Sequence, residues 1–425
     1  MVSLILFGVF FLLLFLNIPI GLSLGISSVA ALLYEKLPLS MIPSNLYSST
    51  GKFVLLAIPF FILGGNVMEK SGISSRLINF CRTLVSHKKS GMAMVCVIVS
   101  CFFAAISGSG PATVAALGMI IIPAMTRVGY DKASSAALMS TAGAIGIIIP
   151  PSITFVIYGS ITGKSVGALF ASGILPGLLM GFSLILAMQF VSRDRPLDLL
   201  PKASWPERWK NFKEAFWGLM MPVIILGGIY GGIFTPTEAA AVSAVYGLIV
   251  GLFIYRTLRW KDLLSLLRDS VSQTAVVMFI VGTASLFAWV LTVTGIAASA
   301  SNALVEICGG NKYIFLLIVN VILLIAGCFI DANSAMYIIV PILYPVATSL
   351  GIDGVHLGCI MVMNLAIGLV TPPVGVNLYV GCGISNISLK QISKAVLPFV
   401  GASLLALLLT TYIPFFAMGI PSLLG

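Results

Sequence analysis

Two pairs of adjacent prolines, Pro150–Pro151 and Pro372–Pro373, interrupt apolar stretches that are otherwise suited to span a membrane. Proline cannot donate the backbone hydrogen bond that continues a helix, and its ring collides with the preceding turn. In a bilayer the freed backbone groups find no water, so an interruption there is costly. The chain is 59% hydrophobic and 8% charged, whereas soluble domains contain about 25% charged residues. These features indicate an all-α polytopic membrane protein in which the paired interruptions have a function.

The charged and reactive residues exclude several classes of function. The net charge is +10, but the basic residues gather in short loops, as in the cytoplasmic loops of membrane proteins, and do not indicate a nucleic acid partner. The seven cysteines show no metal or redox spacing, and the chain has only two histidines. No HExxH or paired-aspartate metal motif occurs. We therefore expect no enzyme activity, no cofactor and no transition metal.

The proline pairs belong to an internal repeat with a constant offset of 222 residues. Other matched pairs are Ala144-Ile-Gly146 with Ala366-Ile-Gly368, Gly129 with Gly351, Asp131 with Asp353, and Pro176 with Pro398. Similar apolar composition explains matched alanines and isoleucines, but it does not explain prolines and Gly-x-Asp triplets in register. The two halves of the repeat are roughly 1–190 and 213–425.

Two apolar segments, 91–126 and 313–349, are too long for one span and are cut in the middle by turn residues. The first cut is Ser107-Gly-Ser-Gly-Pro111, and the second is Asp331-Ala-Asn-Ser334. Small, turn-forming residues predict a sharp reversal, so each segment becomes a re-entrant helical hairpin. Two complete spans in place of each hairpin are the alternative, because they leave the flanking loops on the same sides of the membrane.

The basic clusters orient the halves. If both hairpins return to the side they entered, the clusters in 76–89, 193–213 and 256–268 all face the cytoplasm. Each half then crosses the membrane an odd number of times, so the second half is inverted relative to the first. Between the halves, 191–213 is a basic, tryptophan-rich linker. Its aromatic residues predict a helix lying along the membrane interface, with an ordinary loop as the alternative.

Matched, interrupted segments in an inverted repeat are typical of secondary transporters, which bind substrate and ions at the interruptions. A broken helix exposes N–H groups that attract anions, and carbonyl groups that can replace the hydration shell of a small cation. We predict two sodium sites, one in each half. Their residues are Ser107, Ser109, Gly143, Gly146 and Pro150 for the first site, and Gly327, Asn333, Ser334, Gly368 and Thr371 for the second. Close helix packing is the alternative for any single glycine or serine.

The hairpin tips and proline breaks contain no Lys or Arg. An organic anion would therefore be held by hydroxyl and amide side chains, backbone N–H groups and sodium. The candidate substrate contacts are Ser152 and Thr154 in the first half and Asn377 in the second. Asp331 is the only acid at an interruption and is a further candidate. It could equally sit near a cation, carry a proton or cap the second hairpin helix.

Four segments, SGSGPATVAALG, GAIGIIIPPSITFVIYG, FTPTEAAAV and GLVTPPVGVNLYVG, resemble the large membrane subunit of tripartite ATP-independent periplasmic (TRAP) transporters. The resemblance covers essentially the whole chain and is closest to the sialic-acid branch. It implies sodium-coupled uptake of an organic acid, of the sialic acid or C4-dicarboxylate type, across the bacterial inner membrane. It also implies a separate small four-helix membrane subunit and a periplasmic substrate-binding protein as partners, besides membrane lipid. An ion channel or a stand-alone ion-coupled carrier is the alternative function.

The resemblance further implies an elevator mechanism, in which a transport domain slides against a scaffold. On this basis the scaffold helices fall in 1–70 and 213–256, and the transport elements fall in 91–190 and 271–425. Related ion transporters carry Ser-Asn-Thr at both hairpin tips. This chain departs from that pattern with Ser107-Gly-Ser109 and Asn333-Ser334, so the exact sodium ligands do not transfer from the family.

Overall fold

The computed structural model describes residues 1–198 and 201–424, so Leu199 and Leu200 of the predicted linker, and the terminal Gly425, lie outside the described residues. The described ranges are helical and contain no β-strand. Within these ranges, eight helices are long and apolar enough to cross a membrane. The prediction of an all-α polytopic protein is therefore confirmed.

The first half consists of helices joined by short turns. They are α1 Val2–Phe15, α2 Ile20–Tyr34, α3 Met41–Thr50, α4 Ala57–Lys70, α5 Ile73–Val85, α6 Gly91–Ser107, α7 Gly110–Arg127, α8 Lys132–Ala144, α9 Ile153–Thr162 and α10 Val166–Val191. A 3-10 turn at Phe53–Leu56 precedes α4, and another at Ile145–Ile147 follows α8.

The second half is built in the same way. Its helices are α11 Trp205–Tyr230, α12 Pro236–Ile249, α13 Asp262–Val293, α14 Ile296–Cys308, α15 Lys312–Phe329, α16 Ala332–Ser349, α17 Gly354–Gly368, α18 Val376–Ser385, α19 Leu389–Tyr412, α20 Phe415–Met418 and α21 Pro421–Leu424. A single π-helical segment, Val250–Ile254, continues α12.

The helix boundaries recur at the offset seen in the sequence. Helices α7 and α16 begin and end 222 residues apart, and so do the first residues of α8 and α17. The matched aspartates explain the second coincidence, because each caps a helix. Asp131 accepts a hydrogen bond from the Ser134 N–H at 2.9 Å, and Asp353 accepts one from the Val355 N–H at 2.7 Å. The inversion of the halves relative to the membrane stays a prediction.

The two helices of each predicted hairpin are present, and both predicted breaks are present between helices. α6 and α7 are joined by a two-residue turn in which Gly108 has a φ of +60°, and α15 and α16 are joined by Ile330 and Asp331. Helix α8 with its 3-10 turn is separated from α9 by 148–152, and α17 is separated from α18 by 369–375. The Pro150–Pro151 and Pro372–Pro373 peptide bonds are both cis. Whether the hairpins are re-entrant stays a prediction.

The tryptophan-rich part of the linker does not form a separate helix along the membrane interface. Ser204 caps α11, and the helix then runs without interruption from Trp205 into the apolar span. Pro206 lies in the first turn, where proline does not disturb a helix. The Trp209 ring stacks on Phe212 with centroids 5.3 Å apart. The predicted boundary at 213 therefore falls inside one continuous helix.

Helix α13 packs mainly on helices of the first half. It contacts α2, α3 and α4, and it also contacts α16. Two polar contacts fix it to α4: the Lys70 ammonium lies 2.7 Å from the Asp269 carboxylate, and the Asn66 amide donates to the Ser270 hydroxyl at 2.9 Å. The segment 271–293, which we predicted to be part of the transport elements, is thus attached to the predicted scaffold helices.

Candidate functional site: a cavity between hairpin tips and broken helices

Both hairpin tips and both helix breaks meet at one cavity of about 500 Å³. The tips and breaks form one wall, through Ser107, Ser109, Ile147, Thr154, Asp331, Asn333, Leu369 and Val376. Helices α4 and α13 form the opposite wall, through Gly65, Asn66, Glu69, Ser272 and Gln273. Segments that are far apart in the sequence therefore converge on one site.

The first hairpin tip is closed by hydroxyl groups. The Ser107 and Thr113 hydroxyls lie 2.8 Å apart, and the Thr113 hydroxyl donates to the Ser109 carbonyl oxygen at 2.8 Å. Thr113 is fully buried. Our sequence reasoning missed this residue, although its position one turn after the N-terminal residue of α7 was a usable signal. A hydroxyl at that position can reach back to a carbonyl of the preceding turn.

The first helix break packs against this tip through backbone atoms. A Cβ atom placed on Gly146 would lie 2.9 Å from the Thr113 hydroxyl oxygen and 3.0 Å from the Ser109 carbonyl oxygen. A Cβ atom on Gly108 would lie 3.0 Å from the Pro151 carbonyl oxygen. Side chains are thereby excluded from both surfaces. The glycines allow the tip and the break to approach each other so closely that the carbonyl oxygens of Ser109 and Pro151 lie at the contact between them.

Ser152 serves the break itself and is not part of the cavity wall. Its hydroxyl donates to the Ile147 carbonyl oxygen at 2.6 Å and accepts from the Phe155 N–H at 3.4 Å. It is fully buried and caps α9. Ser152 satisfies backbone groups that the break leaves free. Its role as a substrate contact stays a prediction. Pro150, from the predicted first sodium site, is also buried in this break.

Asp331 caps the second hairpin helix. One carboxylate oxygen accepts from the Asn333 and Ser334 N–H groups at 3.0 and 3.1 Å, and the other accepts from the Ser334 hydroxyl at 2.5 Å. Of the alternatives left open by the sequence, capping is the role seen in the structure. Asp331 nevertheless lines the cavity. Its charge therefore contributes to the electrostatics of the site.

A hydrogen bond between the two halves crosses the cavity wall. The Thr154 hydroxyl, which follows the first break, donates to the Asn333 side-chain oxygen at the second tip at 3.2 Å. Both residues line the cavity. Their roles as a substrate contact and a sodium ligand stay predictions. The bond links the break of one half to the hairpin of the other.

The predicted second sodium site is assembled only in part. A Cβ atom on Gly368 would lie 2.5 Å from the Cα of Gly327, so these two glycines allow α15 and α17 to cross closely. The Thr371 hydroxyl donates to the Ile367 carbonyl oxygen at 2.7 Å. Among the described residues, 1–198 and 201–424, no hydrogen bond joins Asn333 or Ser334 to α15 or α17.

Asn377 lies behind the first tip and does not line the cavity. Its amide nitrogen donates to the Ser140 carbonyl oxygen at 3.0 Å, and the Ser140 hydroxyl donates to the Asn377 carbonyl oxygen at 3.1 Å. The side-chain oxygen of Asn377 is buried and has no hydrogen-bond partner. It faces Gly110, because a Cβ atom there would lie 3.2 Å from it. A buried oxygen atom without a hydrogen-bond partner lowers the stability of the folded protein unless an ion or a water molecule binds to it.

Gly143 completes the surroundings of the first tip. A Cβ atom on this glycine would lie 3.3 Å from the Gly110 carbonyl oxygen. Gly143, Gly146 and Asn377 therefore surround the first tip on the side away from the cavity. The structure brings Ser107 and Gly146 of the predicted first sodium set to Ser109, and Gly143 to the adjacent Gly110. The Thr113 hydroxyl at Ser109 and the Asn377 side-chain oxygen at Gly110 are further oxygen atoms beside this tip.

Our sequence reasoning also missed the wall formed by α4 and α13. Asn66, Glu69, Ser272 and Gln273 line the cavity, and the Asn66 amide nitrogen also lies 3.5 Å from the Gln273 side-chain oxygen. The signal was present as polar residues within apolar helices, in GGNVMEK and SVSQTAVV. Neither segment contains a proline pair or a turn, so interruptions of the apolar sequence do not predict this wall.

Comparison with known proteins decides the family. A family model described as "Tripartite ATP-independent periplasmic transporter, DctM component" matches residues 7–416. The chain belongs to the TRAP transporter large permease family. The resemblance seen in the sequence is therefore confirmed. Members of this family are transporter permeases of the bacterial inner membrane, so the predictions of a multi-pass inner membrane protein and of a protein that is not an enzyme are confirmed too.

Several characterised permeases are similar over nearly their whole length. The C4-dicarboxylate TRAP transporter large permease protein DctM of Pseudomonas aeruginosa is 44% identical over 404 residues, which cover 95% of this chain and 94% of that protein. The sialic acid TRAP transporter large permease protein SiaM of Vibrio cholerae is 37% identical over 412 residues, covering 97% and 96%. Assignment to the sialic-acid branch stays a prediction.

Two further comparisons concern a longer relative and the fold. The isethionate TRAP transporter permease protein DctMQ of Oleidesulfovibrio alaskensis is 43% identical over 420 residues; these cover 96% of this chain but 65% of that longer protein. Among solved structures, the YdaH transporter of Alcanivorax borkumensis matches with a TM-score of 0.66 at 13% identity, covering 90% of this chain and 88% of that one. The likeness to YdaH shows the fold alone.

The contact between Gly327 and Gly368 predicts a specific effect on stability. We expect Gly368→Ala to lower the melting temperature of the detergent-solubilised protein, because the new methyl group overpacks the crossing of α15 and α17 at a cost of about 1–3 kcal/mol. Gly401→Ala is the matched control, since Gly401 lies inside α19 and, beyond its own helical turns, no atom of the described residues lies within 4 Å of its Cβ position. Equal melting temperatures for Gly368→Ala and the wild type would contradict the packing role.

Proposed function

We propose that this permease carries a small organic anion of the C4-dicarboxylate type across the bacterial inner membrane together with sodium. The observation that carries the proposal is the single cavity at which both hairpin tips and both helix breaks meet. The higher identity to the C4-dicarboxylate permease than to the sialic acid permease supports this substrate class. A periplasmic binding protein would deliver the anion, and a separate small membrane subunit would complete the transporter.

The charges around the cavity support co-transport with a cation. The described residues that line it include Glu69 and Asp331 but no Lys or Arg. An anion entering such a site meets like charges in surroundings of reduced dielectric constant, where repulsion is stronger than in water. Sodium bound close by would offset that repulsion. The carboxylates of the substrate would then be held by Thr154, Asn333 and backbone N–H groups of the first tip, with Asn66 and Gln273 on the opposite wall.

The oxygen atoms behind the first tip suit a sodium ion. The Ser109 carbonyl, the Thr113 hydroxyl and the unpaired side-chain oxygen of Asn377 all border this tip. Oxygen is the ligand that hard cations prefer. Gly143 and Gly146 provide the space for close approach of the backbone. We propose these oxygens as the first sodium site, and we propose the second site at Gly327, Asn333, Ser334, Gly368 and Thr371 from the repeat.

We further propose an inverted repeat and an elevator movement, with a revised division of the chain. Helix α13 would belong to the scaffold together with α4, because of the Lys70–Asp269 and Asn66–Ser270 contacts. The hairpins and broken helices would form the moving unit. Between the two units, the Lys52 ammonium donates to the Ser160 carbonyl oxygen at 2.7 Å. An elevator movement would have to break this contact.

The first sodium site predicts a change in sodium dependence. In proteoliposomes containing the small subunit, with the binding protein outside, wild-type uptake should require both partners and an inward sodium gradient. We expect Thr113→Val to raise the sodium concentration for half-maximal uptake about tenfold, because losing one oxygen ligand costs roughly 1.5 kcal/mol. Thr410→Val is the control, since the Thr410 hydroxyl is buried and donates only to Ala406 of its own helix.

Two results would count against this site. One is an unchanged sodium requirement in Thr113→Val, and the other is an equal shift in Thr410→Val. Sodium-independent uptake by the wild type would contradict the proposed function itself.

The elevator division predicts which cross-links stop transport. In a background without the seven native cysteines, we expect a short bifunctional thiol reagent to abolish uptake by Lys52→Cys/Ser160→Cys, because it ties the moving unit to the scaffold. The same reagent should leave uptake by Lys70→Cys/Asp269→Cys nearly unchanged, because both residues lie within the scaffold. Full activity of the cross-linked first pair, or loss of activity in the second, would refute this division.

A further inference from the structure

A groove between α6 and α10, outside the transport cavity, ends in a cluster of basic residues. Where the loop before α6 meets the end of α10, a cavity of about 650 Å³ is lined by Lys88, Lys89 and Arg193. No acid is among the described residues that line it. Asp194 lies 3.5 Å from the Arg193 side chain, but the two side chains are 91% and 70% exposed, so the pair is weak.

The wall that leads away from this basic end is apolar. Leu178, Phe182, Leu186 and Phe190 recur every fourth residue of α10, so they lie on one face of the helix. All four side chains are about half exposed or more, and Phe190 is 75% exposed. The stripe is therefore open on its outer side within the described chain. In a membrane protein such a face is in contact with lipid or with another membrane segment.

A second cavity, of about 380 Å³, continues the groove along the same two helices. Leu178 and Phe182 of α10 line it opposite Ile98 and Phe102 of α6. The basic cavity is lined by the next turns of these helices, through Leu186 and Met94. The two cavities are therefore successive parts of one groove, apolar along its length and basic at one end.

The dimensions of the groove fit a lipid in one leaflet. From Leu178 to Phe190 the helix rises about 18 Å at 1.5 Å per residue. Half of the hydrocarbon core of a bilayer is roughly 15 Å thick. In the orientation indicated by the basic clusters, the basic end faces the cytoplasm. Basic pockets between membrane helices on that side bind anionic lipid headgroups.

The start of α6 adds to the attraction for a phosphate group. Ser90 precedes this helix and makes no capping hydrogen bond with its side chain. The Gly91 N–H donates to the Lys88 carbonyl oxygen at 2.8 Å. The next two N–H groups, of Met92 and Ala93, have no capping side chain and carry a partial positive charge beside the lysines. We propose that the groove binds one anionic phospholipid, with its phosphate at Lys88, Lys89 and Arg193 and an acyl chain along the α10 stripe. Pro222 and Leu226 of α11 border the apolar part, so a lipid in the groove between α6 and α10 would also contact α11.

Native mass spectrometry of the full chain tests this site. The protein is titrated with phosphatidylglycerol and, separately, with phosphatidylethanolamine carrying the same acyl chains. We expect the wild type to bind phosphatidylglycerol about tenfold more tightly, because several cations face the headgroup. The variant Lys88→Gln/Lys89→Gln/Arg193→Gln should lose that preference. Arg259→Gln/Lys261→Gln/Arg268→Gln, which removes three exposed basic residues elsewhere, is the matched control and should keep it.

A second variant tests the apolar wall without touching the charges. Phe182→Ala/Phe190→Ala should weaken the binding of both lipids about equally and leave the preference intact. The proposal is overturned if the Lys88/Lys89/Arg193 variant keeps the preference or if the control loses it as well. It is also overturned if glycerol 1-phosphate displaces the lipid at equal concentration, which indicates a site for free phosphate. Displacement of the lipid by the small membrane subunit would assign the groove to that protein.

Discussion

Backbone groups freed by two interrupted helices must find partners in a protein interior that offers them little water, and the rest of this structure is arranged to meet that demand. At the first break the Ser152 hydroxyl pairs with the Ile147 carbonyl oxygen. The Pro151 carbonyl oxygen lies against Gly108 of the first hairpin tip. The break and the tip therefore pack directly against each other, and the oxygen atoms between them are of the kind that a cation prefers.

In each half, the helix that follows the break packs on helices of the other half. Helix α9, which follows the first break, packs on α16 of the second hairpin, and α18, which follows the second break, packs on α7 and α8. Two side-chain contacts mark this exchange: Thr154 with Asn333, and Asn377 with Ser140. An ion bound at one tip, as we propose, would thus contact elements of both halves. This arrangement provides a physical route by which ion binding can influence the substrate cavity.

Much of this architecture is predictable from the sequence because proline, glycine and aspartate act locally. The proline pairs fix the breaks, Ser107-Gly-Ser109 fixes a tip, and Asp131 and Asp353 fix helix starts. What depends on long-range packing is not predictable in this way. Gly327 and Gly368 meet only when α15 and α17 cross, and Asn377 reaches the first tip only through the packing of α18 on α7. The continuity of α11 and the packing of α13 on the first half also depend on contacts between distant segments, so local sequence signals do not predict them.

The central claim is that anion and sodium bind at adjoining sites, on the two sides of the first hairpin tip, and move together. The most direct test measures sodium and anion fluxes simultaneously, with two isotopes, in proteoliposomes containing this permease, its small subunit and the loaded binding protein. We predict that sodium enters only when the anion enters, and at a fixed ratio over a range of gradients. A sodium flux that continues without the anion, or a ratio that drifts with the gradient, would contradict the claim and favour a channel.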